Sequence, residues 1–103
     1  MIRHIVFFEL AREADGSLPA GRLGSVLDSL KALGTIPGVR TFEVAPNQGS
    51  DPRSDVPVDV VVHATLDDWA ALDAYRGHPT YHQAIQAVRP LRNRRWAVDY
   101  ETA

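Results

Sequence analysis

The stretch IRHIVFFEL, residues 2–10, decides the fold of this chain. Successive side chains of a strand point to opposite faces, and one face would here carry every second residue: Ile2, His4, Val6, Phe8 and Leu10. The other face would carry Ile5 and Phe7. A strand that is apolar on both faces has to be covered on both. The stretch therefore predicts a buried strand, with helices against one face and another covering element against the other.

Turn residues divide the rest of the chain into two helical and three extended segments. The first helix has Pro19 near its first turn and ends at Gly34. Its apolar residues share one helical face: Leu23, Val26, Leu27, Leu30 and Leu33. Apolar runs and period-two patterns predict three further strands: 39–45, 58–66 and 94–101.

The second helix follows the third strand, where Asp67 or Asp68 can cap its start. We expect Trp69, Leu72 and either Tyr75 or Arg76 of this helix to face inward. Trp69 and Trp96 are interpreted as core or interface residues. Three residues interrupt or end the helix: Gly77, Pro79 and Pro90.

The resulting order, β-α-β-β-α-β, predicts one α+β domain of the ferredoxin-like type over residues 1–103. Its four-stranded antiparallel sheet would carry the helices on one face. The other face has apolar residues and no element of this chain to cover it. A second copy is the simplest cover, since two-fold pairing is the commonest oligomer. The pattern therefore predicts a homodimer.

Composition excludes several classes of function. The 103 residues carry a formal charge of −2, which gives no field for nucleic acid or an anionic membrane. Without cysteine there is no disulfide, thiolate metal site or cysteine nucleophile. No apolar run approaches the ~20 residues that cross a bilayer, and no signal peptide is evident. We expect a cytoplasmic protein with no nucleic-acid or membrane partner.

Four segments together resemble the stress-responsive dimeric α/β-barrel (Dabb) domain family. They are MIRHIVFF at 1–8, IPGV at 36–39, YRGHPTYH at 75–82 and VDY at 98–100. The resemblance spans nearly the whole chain and implies the same ferredoxin-like fold and homodimer. It implies much less about activity, because most members of the family have no established reaction.

A minority of the family are cofactor-free polyketide cyclases, in which a tyrosine and a histidine promote aldol closure of a poly-β-keto thioester. The resemblance places Tyr75 and His4 at positions of that site. The cyclase's catalytic histidine falls on Tyr81 without a gap and on His82 with a shift of one residue. The cyclase histidine of the third strand falls on Val60, whereas His63, three residues further on, would lie on the opposite face.

These residues predict a small apolar pocket between sheet and helices that binds an apolar, oxygenated small molecule. If the protein is an enzyme, His82 would be the base and Tyr75 would steady an enolate, while His4, His78 and Tyr81 would contact the substrate. No metal or other cofactor is expected.

Structural roles remain open for the same residues. His4 can be a satisfied core histidine, His78 can cap the interrupted helix, and His82 can be solvent-exposed. A non-catalytic dimer is thus an alternative hypothesis, and a cofactor-free monooxygenase is a weaker one. A basic run precedes the last strand: Arg89, Arg92, Arg94 and Arg95. Such a run could bind an anionic group such as a phosphate of coenzyme A, but it is more typical of a solvated turn.

Overall fold

The computed structural model describes residues 1–103 and has the predicted order of elements, with the second helix divided in two. The four strands are β1 (Ile2–Leu10), β2 (Val39–Pro46), β3 (Val60–Leu66) and β4 (Arg92–Glu101). The three α-helices are α1 (Arg22–Lys31), α2 (Trp69–Gly77) and α3 (Pro79–Val88). Two 3₁₀ turns, Ala32–Thr35 and Arg89–Leu91, follow α1 and α3. The ferredoxin-like α+β prediction is confirmed.

The sheet has the strand order β2-β3-β1-β4, and every neighbouring pair is antiparallel. The opening strand β1 is therefore central, between β3 and β4. In this register His4 lies opposite Ala64 on one side and Asp99 on the other. That pairing brings residues from the two ends of the chain side by side.

One face of the sheet, here called the inner face, packs against the helices. Burial alternates along β1, and the even-numbered residues from Ile2 to Leu10 are buried. From the helical side, Val26, Leu30 and Leu72 complete the core and are fully buried. The period-two and helical patterns of the sequence therefore assigned the inner face correctly.

The interruption of the second helix is confirmed, and its capping is now explicit. The side chain of Asp68, rather than Asp67, accepts a hydrogen bond from the backbone N–H of Ala71 at 2.8 Å. The helix ends at Gly77, and His78 is extended because the following Pro79 disfavours a helical conformation there. The helical chain then resumes in a new direction as α3.

The inward orientation predicted for Trp69 is wrong. As the first residue of α2 this side chain is 47% exposed, whereas Leu72 and Tyr75, one and two turns further on, are buried. Trp96 does not lie in the core either, since it is 37% exposed.

Three elements start at residues other than those predicted. The first helix starts at Arg22, because Gly21 before it has a left-handed backbone with φ of 79°. The third strand starts at Val60, since the Asp59 carboxylate binds Arg12 and the N–H of Leu10 at the end of β1. The last strand starts two residues earlier, at Arg92.

The opposite face of the sheet, here called the outer face, has no helix against it. Its apolar residues are half-buried or exposed: Ile5, Phe7, Val61, Trp96 and Val98. In register, Ile5 lies opposite Val98 and Phe7 opposite Trp96, so these side chains form one continuous apolar stripe. None of the helices is both long and apolar enough to cross a membrane.

Candidate functional site

A small cavity lies on the inner face between the sheet and helices α2 and α3. Its lining is mostly apolar: His4, Val6, Phe8, Leu33, Val62, Tyr75, Tyr81, Ile85 and Arg95. The free volume is about 10 Å³, which is room for about one water molecule. The predicted apolar pocket is therefore present but nearly filled by its own side chains.

His4 is the polar group at the centre of this cavity. Only 1% of its surface is exposed, because it projects from the middle of the central strand under the helices. Its Nδ1–H donates to Oδ1 of Asp99, the residue directly opposite on β4. Arg76 of α2 in turn donates from Nη2 to the other oxygen, Asp99 Oδ2, at 2.9 Å. The three side chains form a chain from the helix to the imidazole, here called the His4 relay.

The hydrogen bond to Asp99 determines which nitrogen of His4 lacks a hydrogen-bond partner. With Nδ1 bound to the carboxylate, Nε2 is buried and has no hydrogen-bond partner. Burial lowers the pKa of His4 below its ordinary value, and this effect exceeds the opposing effect of Asp99. The ring is therefore neutral near pH 7, with its proton on Nδ1 and a lone pair on Nε2. This is the state of a hydrogen-bond acceptor or a general base.

Two tyrosines lie next to this imidazole. Tyr75 is 1% exposed and meets His4 edge to face, with ring centroids 5.8 Å apart. Tyr81 of α3 is half-buried and packs on Tyr75 with ring centroids 5.3 Å apart. Burial strongly raises the pKa of the Tyr75 phenol, so this group remains protonated and can act only as a neutral donor or an acceptor.

The structure brings together three of the five predicted site residues. His4, Tyr75 and Tyr81 line the cavity. His82 is exposed and does not line it, because one helical residue corresponds to about 100° of rotation and only Tyr81 points inward. His78 lies outside the lining too, and its Nδ1 accepts a hydrogen bond from the N–H of Thr80 at 3.0 Å. It is therefore the N-cap of α3.

Sequence reasoning missed the partners of His4. Asp99 was noticed only as part of a motif, and Arg76 only as an alternative inward position on its helix. A signal was nevertheless present, because Asp99 is an acidic residue at an inward position of β4, a strand that pairs with β1. Only the antiparallel register, which places residue 99 opposite residue 4, makes that charge a partner of the histidine.

The side chains that could hold a metal are dispersed. No three histidine, aspartate or glutamate residues come together as potential ligands. His63 projects to the outer face, opposite Ile5, and is thus separated by the sheet from His4.

The sequence identifies the family. Residues 2–102 match the stress responsive A/B barrel domain (Dabb) family. The chain belongs to this family. None of the curated proteins compared with it matches.

Solved structures agree on the fold of this Dabb-family domain. A dimeric ferredoxin-like protein of unknown function from Thermobifida fusca is 24% identical, with a TM-score of 0.80 over 98% of this chain and 90% of that one. Another dimeric ferredoxin-like protein of unknown function, from Jannaschia, is 25% identical, with a TM-score of 0.78 over 98% of each chain. A hydroxynitrile lyase from Passiflora edulis is 16% identical, with a TM-score of 0.77 over 96% of this chain and 90% of that one. At this identity the last likeness concerns the fold alone.

Proposed function

We propose that this Dabb-family chain forms a homodimer in which each subunit binds a small oxygenated organic molecule at the His4 cavity. The observation that carries the proposal is the buried Nε2 of His4, which has no partner although the ring is oriented through Nδ1. Leaving a buried polar atom unpaired costs about 1–3 kcal/mol. A hydroxyl group or another acidic hydrogen of a ligand would supply the missing donor.

The chemistry best suited to this arrangement is proton transfer next to a carbonyl group. Neutral His4 would accept a proton from the neighbouring carbon, and the C–H electron pair would become the C=C bond of an enolate. The negative charge would move to the carbonyl oxygen, to which the Tyr75 hydroxyl can donate. Asp99 would stabilise the imidazolium, which returns the proton to carbon without any redox change. His4 thus takes the role of base that the sequence interpretation gave to His82.

Ligand binding requires the cavity to widen, because its free volume of about 10 Å³ has room for only about one water molecule. The side chains of Tyr81 and Ile85 are the natural moving parts, since both project from α3 and both are only half-buried. The covalent connection between α3 and α2 is the single extended residue His78. A change in the Tyr81 rotamer would expose His4 without unfolding the sheet.

The homodimer rests on the outer face. A continuous apolar stripe there has no helix against it and is only partly buried, and contiguous exposed apolar surface is typical of an interface. The related proteins from Thermobifida fusca and Jannaschia are described as dimeric. Covering the stripe of one subunit with that of a second gives a two-fold, sheet-to-sheet dimer.

Narrower roles are supported less well. A polyketide-cyclase-like reaction would rest on His4 and Tyr75 alone, and the present cavity is far smaller than a poly-β-keto chain. Nothing in the arrangement of side chains favours a monooxygenase. A cytoplasmic location and a part in a stress response stay predictions from the sequence and the family resemblance.

Exchange of α-hydrogens for deuterium tests the proposal, with 2,5-hexanedione in D₂O as the neutral probe and proton NMR as the readout. Wild-type protein should accelerate exchange above buffer, and His4→Ala should lose at least about 100-fold of that acceleration, which is a usual contribution of a general base. His82→Ala is the matched control, because it removes an exposed imidazole outside the cavity, and it should exchange like wild type.

Two results would reject this assignment. Loss of exchange in His82→Ala with retention in His4→Ala would return the role of base to His82. No acceleration by wild type, together with a single water on His4 Nε2 in crystals soaked with the diketone, would make the cavity a hydrated structural feature.

A further inference from the structure

One positively charged side chain of the cavity wall, that of Arg95, forms no ion pair within the chain. Arg95 projects to the inner face from β4, opposite Phe8, and lines the cavity together with His4, Tyr75 and Tyr81. It is half-buried, and its guanidinium takes part in none of the ion pairs or side-chain hydrogen bonds of the structure. Its charge adds slightly to the lowering of the His4 pKa, which burial dominates, and partly opposes the rise that burial causes in the pKa of Tyr75.

The neighbouring arginines show how unusual this is. Arg94, one residue earlier on the outer face, donates to Glu9 at 2.7 Å and lies over the ring of Trp96. Arg76 of α2, which does not line the cavity, is bound to Asp99. Arg89 has no partner either, but it is exposed on the 3₁₀ turn, where water solvates it. Among these arginines, only Arg95 is half-buried in the wall of an apolar cavity and has no anionic partner.

The geometry points to a ligand that carries a carboxylate at the Arg95 end and a carbonyl at the His4 end, that is, a short-chain keto acid. This inference rests on the proposed function and adds the substrate class. Guanidinium binds carboxylate through two parallel N–H···O bonds, which are stronger than neutral hydrogen bonds. The rest of the lining is apolar and suits a short hydrocarbon link between the two groups.

The order of side chains along the cavity supports the assignment. In the register of β1 and β4, Asp99 lies opposite His4 and Arg95 lies opposite Phe8, four residues further along. At ~3.3 Å per residue these backbone positions are about 13 Å apart, yet the side chains of His4 and Arg95 both line the cavity. A ligand of a few carbon atoms can therefore engage Arg95 with its carboxylate while its carbonyl lies near Tyr75. The hydrogen removed by His4 would then be the one next to the carbonyl.

Two probes of matched length test this inference. Levulinate and 2,5-hexanedione differ only in a carboxylate that replaces an acetyl group. Binding to wild-type protein, followed by NMR shifts of the His4 ring, should be at least about tenfold tighter for levulinate, as a charge-assisted pair requires. Arg95→Gln should remove this preference, so that the ratio of the two affinities falls to about one. Arg95→Lys should keep part of it, and Arg89→Gln, which removes an exposed charge outside the cavity, should keep all of it.

The outcomes separate this inference from the proposed function. Equal binding of the two probes by wild type, with exchange that still depends on His4, would overturn the keto-acid assignment and leave the proposed function standing. A levulinate preference that persists in Arg95→Gln would overturn it as well. Binding of neither probe would overturn both. The comparison of probes in wild type needs no variant, so it holds even if an Arg95 substitution impairs folding.

Discussion

The two faces of the central strand β1 carry alternate residues and differ in the kind of side chain that lies in an unfavourable environment. On the inner face, His4 is a polar residue inside an apolar core, and the relay through Asp99 and Arg76 satisfies one of its nitrogens. On the outer face, Ile5 and Phe7 are apolar residues outside the core, and nothing covers them fully. On the inner face, Nε2 of His4 has no hydrogen-bond partner within the chain. On the outer face, the apolar stripe is not fully covered by the chain. The contrast shows that a single strand can present a ligand site and an interface back to back.

The largest effect is expected from a charge on the outer face. Trp96→Glu would place a carboxylate in the apolar stripe, where dimer formation would have to desolvate it. We expect the dimer dissociation constant to rise by at least about 100-fold, or about 3 kcal/mol, measured by analytical ultracentrifugation. The inner face should be unaffected, because Trp96 does not line the cavity.

Trp69→Glu is the matched control for that variant. Trp69 is also an exposed tryptophan, but it begins α2 and is not part of the sheet. It should leave the dimer intact. A wild-type protein that sediments as a monomer, or equal weakening by both substitutions, would show that the stripe is not the interface.

A smaller effect is expected from breaking the relay on the inner face. Asp99→Ala removes the acceptor of the buried His4 Nδ1–H, and we expect a loss of about 1–3 kcal/mol in the free energy of unfolding. Urea denaturation at one fixed protein concentration measures it, because dimerisation contributes to stability. Asp73→Ala is the control, since Asp73 also lies near Arg76, at 3.6 Å, but is exposed. It should cost less than about 0.5 kcal/mol, and equal losses for the two variants would contradict a structural role of the relay.

The fold was predictable from the sequence because its determinants are local and periodic. Alternation along residues 2–10 assigns both faces of β1, and Gly77 and Pro79 mark the break in the second helix. Trp69 shows the limit of such reasoning. It has the hydrophobicity of a core residue, but its place at the first turn of α2, set by the Asp68 cap, leaves it outside the packed face.

The site was less predictable because it depends on contacts that are distant in sequence. His4 and Tyr75 were identified by residue type and by resemblance, but Asp99 is 95 residues from His4 and meets it only through strand register. The choice between Tyr81 and His82 depended on the rotation of α3, which starts anew at Pro79 and cannot be extrapolated from α2. In the sequence, Arg95 is part of a basic run that is typical of a solvated turn. It differs from its neighbour Arg94 only because successive residues of β4 point to opposite faces of the sheet.

The smallest effect we predict is a pH dependence of stability that comes from the inner face alone. The pKa of His4 is lowered in the folded state, so below its ordinary value of 6.5 the unfolded chain binds the proton more readily. The contribution of neutral His4 to the free energy of unfolding is therefore fully present above about pH 6.5, and it is lost as the pH falls through the folded-state pKa of His4. Burial dominates this shift; Asp99 opposes it, and Arg76 and Arg95 reinforce it, while neutral Tyr75 packs on the ring. Melting temperatures measured between pH 7.5 and about 5 should fall more for wild type than for His4→Gln, in which the other histidines are unchanged. Parallel curves for the two proteins would mean that His4 is not held neutral by burial, and the inner face would then lose the free base on which the proposed chemistry depends.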